Sequence, residues 1–125
     1  MKSGNGQKTF NFAFKIPEAE TAYAETILAS HAEFMKKTHS LDADGTKIHL
    51  IDYHVAKAPE LNDLLDPSKG TTGFILYALN EIYAEAEGIS QHMEQAMKWD
   101  GIGDFVELLN KYGDVKFSGE VIHTL

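Results

Sequence analysis

With 125 residues, 43% of them hydrophobic, the chain has the size of one domain and should remove roughly two-thirds of its unfolded surface from water. Nineteen acidic against eleven basic residues give a formal charge of −8, and no Lys or Arg cluster forms a phosphate-contacting footprint, which argues against nucleic-acid binding. Cysteine is absent, which excludes disulfides, thiolate nucleophiles and cysteine-held zinc or iron–sulfur sites, and no apolar run approaches the ~20 residues of a membrane span.

A soluble, cytoplasmic protein is expected, its chemistry left to His, carboxylates, Tyr, Trp or a bound ligand. Residues 1–7 are small and polar and read as a flexible lead-in to a single domain over residues 8–125. From Lys8 to Ile16, Phe10, Phe12, Phe14 and Ile16 alternate with Thr9, Asn11, Ala13 and Lys15, which predicts a half-buried strand. Pro17 suits a first helical turn, Glu18 and Glu20 favour its positive end, and Ala19, Ala22, Tyr23, Thr26, Ile27, Ser30 and Phe34 set a stripe reaching about Lys37. Leu41 to Thr46 reads as a turn, and a strand follows from about Lys47 to Lys57 with polar and apolar residues on both faces. Ala58 to Gly70 is then a long connection carrying Leu61, Leu64 and Leu65, with Pro67 placed for a type I turn. A third strand, about Gly73 to Tyr83, is predicted to pass without a turn into a helix from about Glu85 to Lys98 that bears His92. Asp100 to Asp104 breaks that helix ahead of a second piece with Ile102, Phe105, Val106, Leu109 and Tyr112 on one stripe. Gly113 stops it before a last strand from Asp114 to Leu125.

The order β-α-β-β-α-β predicts an α+β fold of ferredoxin-like type, an antiparallel four-stranded sheet with both helices on one face. The bare face would present Ala13, His49 or His54, Ile51 or Leu50, and Tyr77 or Ala78. Such a face is too apolar for water, so a second copy is expected to cover it in a two-fold homodimer.

The run Asn80-Glu81-Ile82-Tyr83-Ala84-Glu85-Ala86-Glu87-Gly88-Ile89-Ser90-Gln91-His92 resembles the strand-to-helix signature of antibiotic biosynthesis monooxygenase-like proteins, and Phe105-Val106-Glu107-Leu108-Leu109 is similar to the apolar segment that follows in that family. The resemblance extends over the C-terminal half and implies a dimeric α/β barrel. Its members include cofactor-independent quinol-type oxygenases, haem-degrading enzymes and proteins of no assigned function. Some of the oxygenases use a strand-one Asn with a Trp and a His, here Asn11, Trp99 and His92. In this chain the Trp follows the His, whereas it precedes it in the haem-degrading pattern.

His92 shares a stripe with Ile89, Met93 and Ala96, so its ring should point into the cleft between sheet and helix, either tied to Glu81 or a backbone carbonyl as a neutral imidazole or serving as a proton acceptor. Trp99, the only Trp, reads as packing or as a wall for an aromatic ligand. Asn11 bonds a neighbour or positions a substrate oxygen. Glu81 and Tyr83, on one strand face, orient the helix start or hold His92 or a phenolic ligand. His49 and His54 are five apart on a strand and face opposite ways, and His31 and His39 come without a carboxylate pattern, so neither a metal nor a cofactor is expected. The assignment is His92, Asn11 and Tyr83 as catalytic residues, with Trp99, Glu81 and His54 binding substrate. The expected reaction is cofactor-independent oxygenation of a small aromatic or quinol-like ligand, in which the substrate reduces dioxygen while His92 takes a proton. The alternative is a non-catalytic dimeric ligand-binding or stress-related barrel, with haem handling as a third reading.

Overall fold

Residues 3–125 are described by a computed structural model, and they form a mixed α+β fold. In chain order come β1 (Lys8–Pro17), α1 (Thr21–Thr38), β2 (His39–Ser40), β3 (Ile48–Leu61), β4 (Thr71–Tyr83), α2 (Gly88–Ala96), α3 (Ile102–Tyr112) and β5 (Gly113–Glu120). One sheet contains all five strands in the order β2-β3-β4-β1-β5. The four long strands pair antiparallel, whereas the two-residue β2 adds a parallel edge with His39 opposite Ile48. The expected four strands and two helices are thus five strands and three helices among the described residues. The predicted single helix with a break is two separate helices, because the chain turns between Met97 and Gly101.

Strand alternation builds the core. Phe12, Phe14 and Ile16 of β1 and Tyr77 and Leu79 of β4 all face the helices and bury against Ala24, Ile27 and Leu28 of α1 and Phe105 and Leu108 of α3. Each such side chain contributes about 1.5–3 kcal/mol on leaving water. A second cluster of Phe34, Met35, Leu50, Tyr83 and Ala96 lies where α1, α2, β3 and β4 meet.

Several boundaries differ from expectation for identifiable reasons. Pro17 ends β1 in extended backbone, φ −56° and ψ 139°, and a single 3-10 turn over Glu18–Glu20 intervenes before α1. The buried stripe of α1 is Ala24, Ile27, Leu28, His31, Phe34 and Met35, so Thr26 and Ser30 fall outside it. β3 continues past Lys57, pairing Ala58 with Leu76 and Pro59 with Ile75, and the register shift beyond Pro59 accommodates a residue that has no amide hydrogen. The long connection therefore shrinks to residues 62–70, a hairpin tip braced by Asn62, whose Nδ2 donates to the Lys69 carbonyl at 2.9 Å. Leu64 and Leu65 on this tip are exposed and cover nothing in the chain.

A turn over residues 84–87 separates β4 from α2, where a direct passage was expected. Gly88 opens α2 against the ring of Tyr83, and a Cβ there would lie 2.6 Å from Tyr83 Cδ1. Of the lead-in, Met1 and Lys2 lie outside the described residues. Gly6 and Gln7 exchange backbone hydrogen bonds of 2.9 Å with Val121, so this segment is tied down and the last strand stops at Glu120. No helix among the described residues is long and apolar enough to cross a membrane.

The opposite sheet face carries Asn11, Ala13, His54, Ala56, Leu76, Ala78, Val115 and Phe117, while Leu50 and Tyr77 belong to the buried side. Leu76, Val115 and Phe117 on this open face are 37%, 49% and 53% exposed.

Candidate functional site

The inward row of β4 ends in chemistry. The alternation that buries Tyr77 and Leu79 continues to Glu81 and Tyr83, and Glu81 is fully buried. Desolvating a carboxylate is costly unless hydrogen bonds replace the lost water. Tyr83 Oη donates to Glu81 Oε1, whereas Oε2 is the one buried side-chain polar atom among the described residues with no hydrogen-bond partner.

Three buried histidines gather here, each from a different element: His31 from α1 and His92 from α2 flank the carboxylate, and His39 from β2 contacts His92 and Tyr83. His31 Nε2 stands 3.8 Å from Oε2 and His92 Nδ1 stands 3.8 Å from Oε1, both beyond hydrogen-bond range. Other contacts fix the ring positions. His31 Nδ1 meets Tyr53 Oη at 3.0 Å, and His92 Nδ1 meets His39 Nε2 at 3.2 Å. Thr38 Oγ1 donates its single hydrogen to the Phe34 carbonyl at 2.8 Å, so it accepts from His39 Nδ1 at 2.7 Å. His39 Nε2 then carries the lone pair and accepts from His92 Nδ1–H. Tyr83 Oη lies 3.4 Å from the same nitrogen.

Aromatic rings enclose this set. Trp99 stacks on Phe34 with centroids 5.0 Å apart, His31 stacks on Phe105 at 4.7 Å, and Phe10 meets His92 edge-on at 5.8 Å. In that environment burial pushes His31 and His39 down to about 3, with the neighbouring histidines adding to the effect, and burial alone pushes His92 down to about 4. Glu81 moves the other way, up to about 7, because burial outweighs the hydrogen bond from Tyr83. Two neutral imidazoles, backed by a third at His39, therefore face a carboxyl group whose proton is held up to about neutrality. Burial also raises the phenols of Tyr53 and Tyr83, with the Glu81 charge contributing, so both remain hydrogen-bond donors.

Of the residues expected from sequence, His92, Glu81 and Tyr83 converge here. Trp99 joins them from the turn after α2, its ring packed on Phe34 and 5.7 Å from the His31 ring. Met93 and Met97, which could have filled the space at His92, are exposed. Asn11 and His54 do not belong to the cluster. The alternation that points Phe10 and Phe12 inward turns Asn11 to the open face, where Nδ2 donates to Asn80 Oδ1 at 2.6 Å. Asn80 Nδ2 in turn donates to His54 Nε2 at 3.1 Å, and His54 Nδ1 meets Asp52 Oδ2 at 2.6 Å. The expected grouping of Asn11 and His54 with His92 is therefore corrected: the sheet separates them.

Sequence reasoning passed over His31, His39 and Tyr53. For His31 a signal existed, since it lies four residues after Ile27 and three before Phe34, on the stripe that buries. Its carboxylate partner comes from β4, fifty positions later, which no local spacing reveals. His31, Glu81 and His92 each offer a donor atom within 4.8 Å of the others. An adjoining cleft of about 190 Å³, bordered by His39 and Tyr53 and by apolar Met35, Leu41 and Leu50, gives a small molecule a place beside the cluster. A groove of about 250 Å³ between α1 and α2 reaches Phe34 and Trp99 from the other side. In a comparison with family models and with curated proteins, neither kind matches this chain.

Proposed function

We propose that the chain is a homodimeric oxygenase of small phenol- or quinol-like molecules, built as a ferredoxin-like subunit of a dimeric α/β barrel. The observation that carries this reading is the fully buried Glu81, bonded to Tyr83 and flanked by the neutral His31 and His92, next to an apolar cleft bordered by His39 and Tyr53. The architecture is supported by the antiparallel order β3-β4-β1-β5, to which β2 adds only an edge, and by an open sheet face rich in Ala, Leu, Val and Phe.

A planar substrate in the cleft packs its ring on Met35, Leu41 and Leu50 and brings its hydroxyl to His39 and Tyr53. From there two contacts lead inward, His39 to His92 and Tyr53 to His31, and both histidines flank Glu81. A base working near neutral pH suits proton removal from a phenol, and the carboxyl group of Glu81, raised to about 7, is the group of this cluster that can hold the proton. The deprotonated ring is electron-rich enough to reduce dioxygen. One oxygen atom becomes the new carbonyl of a quinone, and the other leaves as water with the phenolic hydrogen and one ring hydrogen, so that phenol plus dioxygen gives quinone plus water.

Oxygen uptake with a panel of phenols and hydroquinones tests the reading. A member of the panel should be consumed with loss of one dioxygen per molecule, and His92→Gln should lower that rate at least about 100-fold while the fold is retained. Wild-type rates in His92→Gln, or no uptake above background with any of the panel, overturn it.

A further inference from the structure

We propose that His31, Glu81 and His92 form a binding site for a divalent transition-metal ion, of the zinc(II) or iron(II) class. Three elements distant in sequence bring one imidazole nitrogen, one carboxylate oxygen and a second imidazole nitrogen within 4.8 Å of one another. A point therefore exists within about 2.8 Å of all three atoms, while such ions bond these donors at about 2.0–2.2 Å, so each side chain need move inward by less than about 1 Å.

The second, independent observation is the orphaned Glu81 Oε2. A fully buried carboxylate oxygen without a hydrogen bond is rare, and the histidine nitrogen nearest to it stands at 3.8 Å, too far to donate. Two ligands of one tetrahedral ion stand about 3.3 Å apart, and the inward movement of the side chains closes the gap to that spacing. Among the described residues the only ion-pair partners of Glu81 are His31 and His92, so no lysine neutralises it. A cation is the missing partner.

The surroundings are arranged for coordination. In the tautomer that carries its hydrogen on Nδ1, 3.0 Å from Tyr53 Oη, His31 turns the Nε2 lone pair to Glu81, and Tyr83 holds the other carboxylate oxygen. His92 Nδ1 releases its hydrogen to Nε2 of the same ring on binding. The bond to His39 Nε2, 3.2 Å away, is then lost. Two imidazoles with a single carboxylate in an aromatic enclosure select a transition metal over calcium or magnesium, which prefer oxygen and water.

The inference uses the residues of the proposed oxygenase but does not depend on turnover. Chelator-stripped protein titrated with cobalt(II) should take up one ion per chain and develop the visible bands of a low-coordinate site, which zinc(II) then bleaches. Glu81→Gln, nearly the same shape, should weaken zinc binding at least about 100-fold by calorimetry, whereas His54→Ala on the far sheet face should leave it unchanged. No saturable zinc or cobalt uptake by the wild-type chain overturns the proposal. So does undiminished binding in Glu81→Gln and in the double variant His31→Gln/His92→Gln. Zinc binding by a protein that consumes no oxygen supports this site and removes the oxygenase reading, while turnover by a protein that binds no metal does the reverse.

Discussion

Tyr83 is the only hydrogen-bond donor that Glu81 has among the described residues. Its phenol stays protonated because burial and the adjacent carboxyl both raise it, so it donates across the accessible pH range. Tyr83→Phe keeps the ring that packs on Gly88 and deletes only the hydroxyl, leaving both Glu81 oxygens buried without a partner. The metal-free protein should then lose about 1–3 kcal/mol of stability, read as a lower urea midpoint with an unchanged slope. An unshifted midpoint means the hydroxyl contributes nothing and that Glu81 is satisfied by other means. Trp99 is a convenient reporter for such measurements. It is the only Trp of the chain, and it stacks on Phe34 beside His31.

At the level of elements the cluster exists because α1, β2, β4 and α2 each deliver one or two polar groups to the same dry space. That design carries a pH dependence. His31, His39 and His92 are held below their ordinary value near 6.5, so the unfolded chain takes up protons below that pH which the folded chain refuses until about 4 for His92 and about 3 for the other two. Their contribution to stability is therefore intact above 6.5 and is lost as the pH falls. Glu81 is raised to about 7 and acts in the opposite sense, binding its proton more tightly in the folded state and stabilising it as the pH falls from 7 towards the ordinary carboxylate value. Three groups outweigh one, and metal-free protein should show a falling urea midpoint, followed by Trp99 fluorescence, between about pH 7 and about pH 5. A flat or rising midpoint over that interval means that the histidines are not buried as neutral rings.

The same elements show what was legible in the residues. β1 was plain, since four apolar residues alternate without exception and only one pairing of face and core is consistent with them. The Glu81–Tyr83 step was legible for the same reason. The end of β3 was not, because Ala56, Ala58 and Pro59 carry little strand preference and are held by pairing with β4, a long-range effect. The stripe of α1 was misread by one position because small residues, Ala22, Thr26 and Ser30, occupy the neighbouring face and sustain a helical period of their own. That slip hid His31, and with it the convergence of histidines that defines the candidate site.

For the molecule as a whole, the two faces of the sheet are used differently. Helices seal one face over the histidine cluster, and the other presents a row of Phe117, Asn11, Asn80 and His54 beside a row of Val115, Ala13, Ala78 and Ala56. The polar row is internally matched: Asn11 donates to Asn80, Asn80 to His54 and His54 to Asp52, so each polar side chain already has a partner and the face is fit to be buried. The adjoining row is small and apolar, which lets a second sheet approach closely. A twin subunit is the occupant this pattern suits, and the wild-type chain should sediment as a dimer at micromolar concentration. Ala78 lies at the middle of the face, on the strand that also carries Glu81 inward, and Ala78→Arg places a charge there that a dry interface cannot solvate. This variant should sediment as a monomer and keep the Trp99 fluorescence of the wild type, since the arginine points away from the cluster. A wild-type monomer removes the dimer, and a dimeric Ala78→Arg moves the interface elsewhere. If the monomeric variant also retains zinc binding, the metal cluster is complete within one chain, as the positions of His31, Glu81 and His92 require.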